Sequence, residues 1–121
     1  MDWRSQIQAE FDKAEQARSR GNEGRARVCA RRAAGLAARQ YFARQGRRVH
    51  TTSVYDVLNL LIEDRTLDDD LRQASRYLTM RVNEEFNLPV DVDLVVLARK
   101  LCERLLVDNK GSEPFKGVGL F

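Results

Sequence analysis

Apolar residues return every three or four positions along most of this chain. Nowhere do they alternate at period two for long enough to predict a strand. Trp3, Ile7, Phe11, Ala14 and Ala17 form the first stripe, which predicts a helix from Asp2 to about Arg20 with Gln, Lys and Glu outside. Gly21 and Asn22 end it, in a turn short enough to fold two helices antiparallel. Asn22 is a good N-cap for the next helix, because its side chain can bond a free N–H of the first turn. In that second helix Ala26, Ala30, Ala33, Ala37 and Tyr41 recur at spacings of four, three, four and four. The face is lined almost wholly by small side chains, so a neighbouring helix can approach closely. A second row, Arg25, Arg32 and Arg39, is spaced by seven and lies well away from the alanines. Gly46 stops the helix, since glycine enters the left-handed region without strain.

His50, Thr51 and Thr52 read as a loop. Ser53 with Asp56 three residues on has the capping-box pattern, and Val54, Val57, Leu58, Leu61 and Ile62 predict a short third helix to about Asp64. Thr66 to Asp69 predict a second cap, with Asp68, Asp69 and Asp70 crowding the positive end of a fourth helix. That placement accounts for the acidic triplet without a metal. Leu71, Ala74, Leu78, Val82 and Phe86 carry the fourth helix to Phe86, and Pro89 stops it. Asp91 or Asp93 caps a fifth helix, whose Leu94, Val95, Ala98, Leu101, Cys102, Leu105 and Leu106 make a broad apolar face. The prediction is an all-α, up-and-down bundle of four to five helices over residues 1–108. Residues 109–121 form a C-terminal tail, flexible or docked, that carries Phe115, Val118, Leu120 and Phe121. Helices three to five do not repeat the first pair at a period near 34, which argues against a solenoid.

Composition adds one asymmetry. Residues 1–50 hold twelve Lys and Arg against five Asp and Glu, whereas residues 51–121 hold nine against thirteen. Such a split suits an anionic partner for the first half, or attraction between the halves within or between chains. In particular, Arg31 and Arg32 are candidates to pair with Asp56, Glu63 or Asp68–Asp70. The longest apolar runs are far too short for a membrane span, and no charged-then-apolar leader opens the chain. Cys29 and Cys102 both fall in helical patterns, which predicts buried, reduced thiols in a cytoplasmic protein. One histidine and two isolated cysteines give no metal-ligand spacing, and no cofactor motif is present.

An N-terminal Trp and an alanine-rich first helix lead through a Gly-Asn turn into A-x-x-x-A-R-R-A-A. A His-containing loop, V-L-N-L-L, L-R-Q-A-S-R-Y-L, an Asn-Leu-Pro break and V-V-L-A-R-K-L follow in order. In order and spacing, residues 2–107 resemble the HEPN superfamily, nucleotide-binding domains shared by higher eukaryotes and prokaryotes. The resemblance implies a small helical bundle, usually a homodimer, that partners a nucleotidyltransferase or belongs to a toxin–antitoxin pair. Nuclease members carry an Arg, a spacer of about four to six residues and a His, and cleave RNA without a metal. Here Arg44 and His50 have five residues between them, across the junction of the second and third helices. An imidazole can move the 2′-hydroxyl or leaving-group proton, and a guanidinium can stabilise the phosphorane. One His per chain would need a two-fold dimer to supply both acid and base.

Three readings of function follow. The first is a non-catalytic, dimerising HEPN-like interaction domain. The second is a metal-independent ribonuclease using Arg44 and His50. The third is a nucleic-acid or phosphate-binding module working through Arg25, Arg32, Arg39, Arg47 and Arg48, with only Tyr41 and Phe42 as aromatics near them. A two-fold homodimer is expected from Val28 and Leu36, which lie off the alanine seam and close to the arginine row.

Overall fold

A computed structural model describes residues 2–80 and 92–106. Within them the chain is an all-α bundle of five helices, with no strand among the described residues: α1 (Trp3–Ser19), α2 (Glu23–Arg44), α3 (Val54–Glu63), α4 (Asp69–Thr79) and α5 (Leu94–Leu105). The fourth helix ends at Thr79 because Met80 turns extended, seven residues short of Phe86. Val82, Phe86, the Pro89 stop and the tail from residue 109 lie outside the described residues.

Local signals set most of the ends. The Asp2 carboxylate accepts from the Ser5 amide at 2.7 Å and opens α1. The Asn22 side chain accepts from the Arg25 amide at 3.1 Å and opens α2. Gly21 and Gly46 take φ values of +77° and +74°, the left-handed geometry that closes α1 and α2. At α3 the predicted box is half formed. Ser53 accepts from the Asp56 amide at 3.3 Å, while the Asp56 carboxylate takes the Thr51 hydroxyl at 2.9 Å. At α5 Asp93 accepts from the amides of Val95 and Val96. The cap of α4 differs from the sequence expectation. Thr66 turns back to Asp64, through both its amide and its hydroxyl, and Asp68 takes the N-cap position instead. Asp68 makes no side-chain cap there, because its carboxylate is held at 2.7 Å by Arg104.

The α1–α2 hairpin is antiparallel. Arg18 reaches Glu23 across the turn, and Arg44 at the far end of α2 lies 5.6 Å over the Trp3 ring. α5 packs on α2, where the Cys102 thiol points at the Ala33 carbonyl at 3.7 Å, and reaches α1 through its side chains, Arg99 bonding Glu15 at 2.9 Å. α3 starts beside the middle of α2, where Gly35 is buried. A Cβ on Gly35 would come within 3.3 Å of Val54 Cγ1, so the missing side chain is what lets α3 approach.

α2 is therefore the centre of the bundle, and its buried face is wider than the alanine seam. Ala26, Ala30, Ala33 and Ala37 are fully buried as expected, but so are Cys29, Ala34, Ala38 and Phe42. Tyr41, at the end of the seam, is half-buried and donates to Asp64 at 2.8 Å. Large side chains from every helix complete one core: Ile7 and Phe11, Phe42, Leu58 and Leu61, Leu78, Leu94 and Leu101. Each contributes about 1.5–3 kcal/mol over an exposed position. Cys29 and Cys102 are both free and buried, and burial raises the Cys102 thiol pKa far above its ordinary value, so it stays protonated and unreactive.

Candidate interaction surface

Only one strip of α2 reaches solvent along the middle of the helix. It holds Arg25, Val28 and Arg32, with Leu36 and Arg39 partly covered. Seven residues are two helical turns, so the three arginines form a column with about 10.5 Å between neighbours. The column forms one wall of a crevice between α1 and α2. Its deeper section is an open groove of about 570 Å³, lined by Gln6, Ala9, Glu10 and Lys13 of α1, Arg32, Gly35, Leu36 and Arg39 of α2, and Thr52 and Val54. Towards the hairpin turn it continues as a hollow of about 310 Å³ between Lys13, Gln16 and Ala17 on one side and Arg20, Asn22 and Arg25 on the other. Ala9, Leu36 and Val54 give the groove an apolar floor.

Charge along this crevice is one-sided. Its single carboxylate, Glu10, is already paired with Lys13 at 3.6 Å. Among the described residues no ion pair engages Arg25, Arg32 or Arg39. The other side of the bundle is the reverse. Arg18 binds both Glu23 and Asp93, Arg99 binds Glu15, and Arg104 spans Asp68 and Asp70. Hydrogen bonds that Arg18 donates to Glu23 and then to Asp93 push its pKa up. Burial works to raise the Asp93 carboxyl, but the bonds from Arg18 and from the Val96 and Val95 amides outweigh it and leave the group below 3.8.

The expected pairing of Arg31 or Arg32 with the acidic half takes another form. Asp68 and Asp70 meet Arg104, while Arg32 stays exposed. Arg31 is 9% exposed, and its guanidinium donates to the carbonyls of Leu78 at 2.7 Å and Met80 at 3.1 Å. It thus closes the negative end of α4. Arg72 does the same for α3, donating to the Ile62 carbonyl at 2.9 Å. Sequence reasoning missed Arg31, although a signal exists: Arg31, Ala34, Ala38 and Phe42 share one face at helical spacing, so an arginine on that row must enter the core.

The candidate catalytic pair sits elsewhere. Arg44 is at the last turn of α2, against Trp3, and His50 is exposed in the loop before α3. Arg47 lies 5.0 Å over the Phe42 ring, near a hollow of about 560 Å³ formed with Gln45, Leu60, Glu63, Asp64, Arg65 and Thr66. There burial favours a raised Asp64 pKa, but the Thr66 and Tyr41 hydrogen bonds prevail, helped by Arg47, and lower it. Arg48 is exposed. Among the described residues no three His, Cys, Asp or Glu side chains gather as a metal site, and no helix is long and apolar enough to cross a membrane. No family model, no curated protein and no solved structure matches this chain.

Proposed function

We propose that this chain is a non-catalytic, HEPN-like helical interaction domain, and that the α1–α2 crevice is its working face. One observation carries the reading. An apolar floor of Ala9, Leu36 and Val54 is open to solvent beneath a column of arginines that no carboxylate among the described residues pairs with, while Arg18, Arg99 and Arg104 on the α5 side are matched. Apolar surface beside uncompensated charge is the composition of a recognition site. The resemblance to HEPN bundles supports the same reading, since many members act by partnering another protein, a nucleotidyltransferase or the other half of a toxin–antitoxin pair.

A photo-crosslinking residue at Leu36, compared with one at Lys100 on α5, tests it in cells. Protein adducts concentrated at Leu36 support the reading. Equal adducts at both positions, or none at either, overturn it.

The second reading, a basic-face RNA-binding module, draws on the same exposed Arg25 and Arg32 and the partly covered Arg39, together with Arg47 and Arg48. It expects RNA adducts at Leu36, and an affinity that falls steeply with salt, about one unit of log–log slope per phosphate neutralised.

A further inference from the structure

We infer that the occupant of the crevice is an acidic amphipathic helix of another protein, with a carboxylate at every seventh residue and apolar side chains between. The inference rests on the interaction-domain reading and names its partner class.

The spacing argument comes first. Arg25, Arg32 and Arg39 are separated by seven residues on a straight run of α2, so the cations recur every two turns. A helix laid along the crevice presents side chains at the same rise. Carboxylates at positions i, i+7 and i+14 therefore keep step with the column, and drift only about 20° per heptad around their own helix. Between the cations the wall is apolar: Leu36 lies between Arg32 and Arg39 and faces Ala9 and Val54 across the floor. Apolar residues of the incoming helix at i+3 and i+4 meet that floor, which is the helix-in-groove mode of recognition.

Charge balance selects the same partner. Among the described residues no carboxylate pairs with Arg25, Arg32 or Arg39, and one oxygen of the crevice's one acid, Glu10, is held by Lys13 at 3.6 Å. A second copy of this chain is a poorer match. Among the described residues Asp68, Asp70, Asp93 and Glu15 are already held by arginines and Asp64 by Tyr41 and Thr66, and the acids outside any ion pair, such as Asp12, Glu63 and Glu103, are scattered over α1, α3 and α5 rather than set in a row. Single-stranded nucleic acid also fits less well, because neither section of the crevice has an aromatic lining, Tyr55 standing outside them in a hollow with Val28, Arg31 and Arg32.

The test is fluorescence anisotropy with the full chain and a labelled three-heptad peptide, with Glu at every seventh position, Leu at i+3 and i+4, and Ala and Gln elsewhere. The chain is expected to bind this peptide saturably at physiological salt. The double variant R32E/R39E should weaken binding about tenfold, in line with two exposed charge pairs lost and made repulsive. The same variant should regain affinity for a peptide carrying Lys in place of Glu. Leu36→Ser should weaken binding of the Glu peptide, and Arg65→Glu, on another face, should leave it unchanged. Circular dichroism establishes that each variant is folded. A scrambled peptide that binds equally, a charge swap that rescues nothing, or an RNA oligomer that displaces the peptide would each overturn the inference. So would sedimentation showing a dimer that cannot take up peptide, which assigns the crevice to a second copy. If the peptide fails while Leu36 still crosslinks to protein, the partner class is wrong and the interaction domain stands. If Leu36 crosslinks to nothing, both fall.

Discussion

On the α5 side of the molecule, arginines that face another helix meet an acceptor: Arg18 meets Asp93, Arg99 meets Glu15, and Arg104 meets Asp68 and Asp70. On the crevice side Arg25, Arg32 and Arg39 meet no carboxylate among the described residues, although the same helix carries Arg31, which does meet an acceptor. Arg31 and Arg32 are adjacent in sequence, yet one is driven into the core to close α4 and the other is left in water. A helix turns about 100° per residue, so neighbours in sequence face different surroundings. Within the positive first half, Arg18 and Arg31 hold the bundle together, while Arg25, Arg32 and Arg39 face outward.

The sharpest way to break this contrast is to replace the neighbours one at a time. Arg31→Met removes a buried guanidinium and leaves the Leu78 and Met80 carbonyls without it, at a cost of about 2–4 kcal/mol. Arg32→Met should change stability by less than about 0.5 kcal/mol. Urea denaturation of both variants measures the difference, and equal midpoints would erase it.

Ala33→Leu probes the inner face of the same helix. Ala33 is fully buried and its carbonyl lies against the Cys102 thiol, so three extra carbons have nowhere to go. The expected destabilisation is about 1–3 kcal/mol. An unchanged midpoint would mean that the seam is not closely packed.

The smallest effect concerns the matched arginines. The Asp93 and Asp64 carboxyls both titrate below the ordinary 3.8 in the folded protein. Their contribution is therefore complete above about pH 4, and is lost as the pH falls through the lowered folded values. Asp93→Asn keeps the cap but loses the charge opposite Arg18. It should cost no more than about 0.5 kcal/mol at neutral pH, because both side chains are partly exposed, and should make the acid limb shallower. A variant whose stability falls below pH 4 as steeply as that of the parent would remove Asp93 from the account.

Much of the fold was legible because its signals are local. Asn22, Ser53 and Asp93 cap helices within three residues of themselves, and Gly46 stops α2 by its own backbone conformation. The alanine seam was legible because helical periodicity reports burial directly. What escaped depends on partners distant in the chain. Thr66 reads as a cap until Arg104, 36 residues beyond Asp68, takes the Asp68 carboxylate and Asp64 takes Thr66. Arg31 reads as a surface cation until α4 brings its own carbonyls alongside, 47 residues later. Of the crevice, the sequence displayed the arginine column and Leu36, but not the facing wall. Gln6, Ala9, Glu10 and Lys13 join it only because the hairpin folds α1 back along α2.

Six buried alanines on α2, at positions 26, 30, 33, 34, 37 and 38, also bear on how the molecule comes together. A buried leucine surrenders about 0.5–1 kcal/mol of rotamer freedom and an alanine surrenders none, so these six positions enter the core with no side-chain entropy to lose. Its closest neighbour in sequence is α1, reached through a link of three residues, and such local contacts form early. Both walls of the crevice lie on that hairpin. The surface assigned to a partner is therefore built by the most rapidly assembled part of the chain, with α3 arriving afterwards to close its end at Val54.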